Sequence, residues 1–434
     1  MQQGLAQAAL VIQGLAIAPL ILSMNPGPLW AEPSNHSSVE LEAWVLAADP
    51  GLEAILEEVQ ATQAEAESAR VAWHDPMLMV SGTVDAFGSH TPGAVRGMVE
   101  VAQAMPWFGV REAQAQPAEA RAAARQAEAQ TLTLTLIHEL RSDLLALSRM
   151  QALRALLEDE QALWQESLTY AVDLLAFSTE AATAILELEM RLLELANEGD
   201  ALVAEIAAVQ ARLSQRLRRA WSDGHTLTAD DPLFRLIEHL DETSIYAGLA
   251  HHPRLLAGTY SQQSFAATAA AVEIARKPSL TFSLGVGAMP METGSVATMV
   301  RLGVGLPLPL WNASSDALAA SARSRADAAG HGVENTRRTL QAETESTIAS
   351  YHAAHSQLQR LKSQLLPLAN AYLLARQEDL ALGRTTYGEV VAAQRQVLAL
   401  RRAMVDARFD ALLRQVDLDS LCAGCLALGR TSHD

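Results

Sequence analysis

The sequence predicts a mostly α-helical chain, duplicated in tandem, with a small transmembrane β part of four strands. Three observations lead there. Alanine with Glu, Gln, Arg and Leu fills long stretches while aromatic residues make up only 5%, a composition that suits long, closely packed helices better than a thick globular core. Landmarks recur in the same order about 203 residues apart. Two charge-poor, Gly-rich segments alternate apolar and small residues with period two.

The duplication is read from prolines. Pro50 opens an Ala/Glu-rich helix and Pro253 opens another, at an offset of 203; Pro76 and Pro278 follow the two helices, at an offset of 202. Met105-Pro106-Trp107-Phe108-Gly109 then matches Leu308-Pro309-Leu310-Trp311-Asn312 at 203. A period this long is too great for a solenoid and describes two copies of a domain-sized unit. The expected organisation is a signal peptide over 1–31, a first repeat over 32–225, a second over 226–421, and a tail over 422–434.

The signal is expected because Leu5 to Leu22 is apolar apart from Gln7 and Gln13, followed by a cut near Ala31. A transmembrane anchor is the alternative, since 18 residues is near the lower limit for a span. No cysteine follows the apolar stretch to carry a lipid.

Within each repeat a helix comes first, Pro50 to Trp73 and Pro253 to Arg276. A strand hairpin follows, over 76–105 and 278–308. In the second, Leu280, Phe282, Leu284 and Val286 alternate with Thr281, Ser283, Gly285 and Gly287; Val300, Leu302, Val304 and Leu306 alternate with Met299, Arg301, Gly303 and Gly305. The first has Leu78, Val80 and Val84 against Met79, Ser81 and Thr83, then Val95, Val99 and Val101 against Arg96, Met98 and Glu100. Strands of about ten residues are long enough to cross a bilayer. A long helical hairpin closes each repeat, over 111–221 and 313–421. Pro117 falls in the first turns and Pro367 predicts a kink. Expected packing seams are Leu186, Met190, Leu193 and Asn197, and Val390, Gln394, Val397, Leu398 and Arg401.

Four strands cannot close a barrel, and an open sheet in lipid leaves edge N–H and C=O groups unpaired. Several chains must therefore share one barrel, with the helical hairpins as a tube beneath it. The net charge of −18 excludes nucleic acid as a partner and disfavours a polybasic membrane-surface binder. A pore-free periplasmic coiled-coil scaffold accounts for neither the signal nor the alternating segments. No constellation of residues supports an enzyme, and no cofactor is expected.

The ordered motifs resemble the TolC-like outer-membrane factor family. Asp75-Pro76-Met77-Leu78-Met79-Val80 and Met105-Pro106-Trp107-Phe108-Gly109-Val110-Arg111 look most like its heavy-metal (CzcC/CusC-like) branch. Val304-Gly305-Leu306-Pro307-Leu308-Pro309-Leu310-Trp311-Asn312 and Leu382-Gly383-Arg384-Thr385-Thr386-Tyr387-Gly388-Glu389 are similar to its second-copy signatures. Ser178 departs from the glycine often found at the first hairpin turn. The resemblance implies a homotrimer with a shared 12-stranded β-barrel and an α-helical barrel. It implies an outer-membrane location with a reach into the periplasm, outer-membrane lipid around the strands, and docking through a periplasmic adaptor to an inner-membrane pump of the resistance-nodulation-division type. The implied function is a passive efflux duct, heavy-metal cations being one possible cargo. A duct for type I protein secretion is the alternative.

The residues singled out as a periplasmic gate are Asp173 and Glu180 at the first hairpin turn and Asp379, Gly383, Arg384, Tyr387 and Glu389 at the second. Repeated around a symmetry axis, such carboxylates form charged rings that select cations. Cys422 and Cys425 are expected to pair as a disulfide in an oxidising compartment. His352 and His355, and His251 with His252, are read as solvated helix and loop residues rather than metal ligands. Seven of the 12 methionines, Met77, Met79, Met98, Met105, Met289, Met291 and Met299, lie in or beside the strands. They are read as lipid-facing or gap-filling, with ligation of soft ions as the alternative.

Overall fold

The structure is a computed structural model that describes residues 35–84, 95–174, 180–221, 226–228, 230–290, 296–307, 312–426 and 428. The expected signal sequence, the strand turns at 85–94 and 291–295, Ser178, and Leu308 to Trp311 lie outside the described residues.

A two-residue strand β1 (Asn35–His36) leads into helices α1 (Ser38–Ala48) and α2 (Pro50–Val71), then strands β2 (Met77–Val84) and β3 (Val95–Met105). Helix α3 (Val110–Leu174) runs for 65 residues, about 98 Å at 1.5 Å per residue. Helix α4 (Glu180–Leu217) returns alongside it. Strand β4 (Thr226–Leu227) and helix α5 (Glu242–Ala250) join the repeats. The second series is α6 (Pro253–Ile274), β5 (Leu280–Pro290), β6 (Val296–Gly305), α7 (Ala313–Arg360), a π-helical turn over Leu361–Leu365, α8 (Leu366–Ala381) and α9 (Tyr387–Leu421).

Both Pro-initiated helices start where the sequence places them, because each proline sits where the missing N–H costs nothing and the preceding residue caps the helix. Asp49 Oδ1 accepts from Leu52 N at 2.8 Å and His252 Nδ1 from Arg254 N at 3.2 Å. Pro117 lies in the first turns of α3, as expected, at its eighth residue, and the helix runs through it. Its carbonyl accepts from Ser264 Oγ of α6 at 3.0 Å. Buried alanines at 113, 115, 118, 122, 124, 127 and 129 let α3 approach α2 and α6 closely. The kink expected at Pro367 takes the form of the π turn just before it. Proline cannot donate to the carbonyl four residues back, and a widened turn accommodates that loss.

The two hairpins form one antiparallel sheet in the order β2-β3-β5-β6. The join pairs Val99 with Val286 and Val101 with Leu284. A second, two-residue pairing, β1 with β4, was not expected from the sequence. The largest core lies where α1, α3, α4 and α9 meet, around Leu41, Leu140, Leu144, Leu213, Leu412 and Val416. Arg141 is buried there, bonded to Glu42 at 2.7 Å and Asp419 at 2.5 Å. Asp231 ties the inter-repeat segment to α1 by accepting from Ser38 N and Oγ at 2.8 and 2.7 Å.

One of the two expected seams is corrected. Val390, Val397 and Leu398 are buried, but Leu186, Met190 and Leu193 are at least 60% exposed. The buried face of α4 carries Leu188 and Leu195 instead. Periodicity finds an apolar stripe, and α4 has two; packing decides which one faces its own chain.

A buried carboxylate holds the two long hairpins together. Glu160 of α3 is 2% exposed and accepts from Trp164 Nε1 at 3.1 Å, Arg191 Nη2 of α4 at 3.0 Å and Arg402 Nη2 of α9 at 2.6 Å. Glu198 receives the same two arginines at 3.3 and 2.7 Å. Burial by itself would lower the Arg191 pKa; its bonds to Glu194 and Glu160 outweigh that, and the pKa ends raised. Glu160→Gln should therefore cost on the order of 3 kcal/mol, by leaving the two arginines facing each other undercompensated. Glu194→Gln, on a side chain 58% exposed, should cost less than about 0.5 kcal/mol. Thermal midpoints and hydrogen exchange around Arg402 would separate the two variants; equal effects would show that Glu160 is not the tie.

His252 is a loop residue, as read, at the N-cap of α6, and it is buried. Burial first, and Arg254 second, push its pKa down. A lowered histidine pKa means that the unfolded chain takes up the proton first, so stability is full above the ordinary histidine range and falls as pH drops through it. His252→Asn keeps a capping side chain and should flatten the dependence of the thermal midpoint between pH 7.5 and 5.5.

Candidate functional site

Two parts of the molecule present chemistry outward: the end where the long hairpins turn, and the two faces of the sheet. At the second hairpin turn Gly383 adopts φ +67°, a conformation that side chains resist. Its N–H reaches Leu380 O at 2.9 Å, and Arg384 N reaches Asp379 O at 2.8 Å. The Arg384 side chain folds back onto Asp379 at 3.1 Å. Glu389 accepts from Arg376 Nη1 at 3.0 Å and from the Thr385 hydroxyl. Arg376 in turn donates to the Tyr372 oxygen at 3.0 Å. The carboxylates thus have cationic partners within their own chain.

Tyr387 carries the contact to the first hairpin. Its hydroxyl donates to Ser167 O at 3.0 Å, and its ring lies 5.3 Å from that of Tyr170. Burial raises its pKa above the usual phenol value, so it stays a neutral donor. Val391, Leu398, Trp164 and Ala171 form an apolar cluster beside it. Both hairpins therefore end at the same pole. Asp173 stands at the end of α3, three residues beyond Tyr170, and Glu180 opens α4; the intervening turn and both their side chains lie outside the described residues. Asp379, Gly383, Arg384, Tyr387 and Glu389 come together, with Arg376, Thr385, Ser167 and Tyr170 around them. Tyr170 could have been found from sequence, since Tyr372 stands 202 residues later, at the offset of the repeat.

The register sorts the sheet into two faces. One carries Leu78, Val80, Val99, Val101, Phe282, Leu284, Val286, Val300, Leu302 and Val304; the other carries Ser81, Glu100, Ser283, Gly285, Gly287, Arg301 and Gly303. All ten of the former are between 44% and 81% exposed in the single chain. Met77, Met79, Met98 and Met299 fall on the small and polar face, where the alternation placed Met79, Met98 and Met299; Met105 alone among the described strand methionines whose side chains are placed lies on the aliphatic face. Pairing alternates strictly, so one residue of register decides the face.

Cys422 and Cys425 are joined in a disulfide that caps α9, with Cα atoms 5.4 Å apart. It packs so closely on α5 that a Cβ on Gly248 would lie 2.6 Å from Cys422 O. His352 faces Glu242 at 3.4 Å and His355 stacks on Tyr351. Among the described residues no group of three His, Cys, Asp or Glu side chains could hold a metal. No helix among them is long and apolar enough to cross a membrane.

Residues 245–424 match the outer membrane efflux protein family. No curated protein is similar in sequence. Solved structures of similar fold include CusC, with a TM-score of 0.71 and 14% identity over 92% of this chain and 95% of that one. VceC of Vibrio cholerae gives 0.68 and 18% over 89% and 96%. The open-state MtrE channel of Neisseria gonorrhoeae gives 0.69 and 15% over 93% and 94%. The sequence match covers residues 245–424, and the fold is that of outer-membrane channel structures along nearly the whole length of the chain.

Proposed function

We propose that three copies of this chain close one twelve-stranded barrel in the outer membrane and continue as a helical tunnel into the periplasm. The assembly is the duct of a tripartite efflux system, docked through a periplasmic adaptor to an inner-membrane pump of the resistance-nodulation-division type. The observation that carries this reading is the sheet: four strands with one aliphatic face, one small and polar face, and unpaired edges at β2 and β6. In hydrocarbon such edges need partners, and three copies supply them. The exposed stripe Leu186, Met190 and Leu193 supports a second copy against α4. Heavy-metal cations are the cargo we favour, on the wording around Met77 and Met105 and on the likeness to CusC. The repeats over 32–225 and 226–421 share one order of helix, strand pair, long helix and returning helix, which supports the division read from the prolines. Residues 1–31 would direct export.

Purified protein should run as an SDS-resistant trimer that dissociates on heating. Leu284→Arg should abolish the trimer, since an arginine on the lipid face costs about 2–4 kcal/mol near the midplane, whereas Ser283→Arg, facing Gly303 across the strand pair, should preserve it. A monodisperse monomer with intact β content would overturn the shared barrel.

At the tip, the paired charges of three chains would ring the mouth. Asp379→Asn combined with Glu389→Gln should lower cation preference in single-channel recordings. Arg384→Ala should raise conductance by releasing the turn from Asp379. If neither variant differs from wild type, the mouth is built from other residues.

A further inference from the structure

The end of α9 carries a residue that its turn does not suit. Cys422 closes the helix, Gly424 N donates to Asp419 O at 2.7 Å, and Ala423 N donates to Ser420 O at 3.2 Å. These are the two bonds of a Schellman cap, whose left-handed position is usually glycine. Here that position is Ala423, at φ +57°, and Gly424 follows at φ +85°. A side chain resists this conformation. The Cys422–Cys425 disulfide bridges the two left-handed residues and holds the turn closed.

Contacts between distant parts of the chain hang on this turn. It brings Leu426 back, so that Leu426 N donates to Asp419 Oδ1 at 2.9 Å, while Asp419 Oδ2 accepts from Arg141 of α3 at 2.5 Å. Leu428 is buried in the largest core. Helix α5, in the segment between the repeats, sits against the turn. Its Ile245 shares a buried cluster with Cys422, Tyr351 and Leu418, and its Gly248 leaves no room for a side chain against Cys422 O. Of the two cysteines, Cys422 is 2% exposed and Cys425 is the more open. A solvent thiolate therefore meets Cys425 first.

We propose that Cys422–Cys425 is a redox-operated clasp on the junction between the two repeats. Oxidised, it holds Ala423 left-handed, keeps Leu426 on Asp419 and seats α5. A dithiol opens it. One thiolate attacks Cys425 Sγ, and Cys422 Sγ leaves with the electron pair of the S–S bond and takes up a proton. The second thiol of the attacker then displaces Cys425 from the mixed disulfide, and Cys425 takes up a proton in turn. Two electrons have passed to the cysteine pair, and the attacker ends as a disulfide. Closing runs the same steps backward with a protein disulfide as oxidant, so the junction is completed only in an oxidising compartment. Without the cross-link nothing offsets the left-handed alanine, and the turn, the Asp419 contact and the seat of α5 loosen together. The clasp acts within one chain, whatever the number of copies.

The test follows hydrogen exchange of the purified full-length protein with and without excess dithiothreitol, which reports local opening. Alkylation and mass spectrometry count the thiols. Reduction should yield two thiols per chain, speed exchange at least tenfold at Ala423, Gly424 and Leu426 and at least threefold in α5, and leave the amides around Tyr387 unchanged. Ala423→Gly suits the left-handed position and should shrink the response to reduction at least threefold. Cys422→Ala with Cys425→Ala should exchange like the reduced wild type and ignore dithiothreitol; if that variant does not fold, titration of the wild type with dithiothreitol carries the test. A disulfide that stays closed in excess dithiothreitol would overturn the clasp. So would reduction that leaves α5 unchanged, or an Ala423→Gly variant that responds as strongly as wild type.

Discussion

A backbone amide in hydrocarbon has no water to bond, and in the membrane assembly that we propose the architecture follows from that constraint. The sheet β2-β3-β5-β6 satisfies its inner strands through the join between the two repeats. Its outer strands depend on copies of the same chain, in the assembly that we propose. The duplication matters physically for this reason: one repeat supplies a two-stranded hairpin, which is marginal on its own, and two repeats supply a four-stranded sheet with one continuous aliphatic face. Long helices then have to leave the sheet from both repeats on the same side, and they can pack on each other only if the residues between them are small. The run of buried alanines along α3 meets that need.

Packing by alanine brings backbones close but gives little direction, since small side chains interlock weakly. Polar ties supply the register. Arg141 fixes α3 to α1 and α9 near the middle of the molecule, and Glu160 fixes α3 to α4 and α9 nearer the turn. Tyr387 fixes the tip itself. Arg141 and Glu160 are both buried, at 8% and 3% side-chain exposure, whereas the ion pairs of Asp379 and Glu389 at the tip are open. Ion pairs weaken as they become wetter, so the charge pairs at the tip hold least firmly, at the pole where a mouth would have to open.

Much of the fold was legible in the sequence because its signals are local. Alternation named the strands, and Leu280–Pro290 and Val296–Gly305 fall where it placed them. Proline after a capping residue named the starts of α2 and α6. The site was legible in part: Gly383 and the residues after it mark a turn, and that turn gathers Asp379, Arg384, Tyr387 and Glu389. The contacts with Ser167 and Tyr170 were not, because they cross 220 and 217 residues of chain. The short pairing of β1 with β4 and the short helices α1 and α5 were missed for a related reason. Segments of 2 to 11 residues carry too little periodicity to be seen without their partners.

The sequence by itself determined the class of each segment, the duplication and the two-faced character of the strands, since these depend on residue spacing within a dozen positions. Tertiary structure decided which apolar stripe of α4 turns inward, because Leu188 and Leu195 pack with Trp164 and Leu398 while Leu186, Met190 and Leu193 stay at least 60% exposed. It decided that Glu160 would be the shared ligand of two arginines from different hairpins. It also set Met98 and Met299 on one rung with Gly287, because alternation fixes the face of a residue but its cross-strand neighbours are settled only when strands from distant parts of the chain meet.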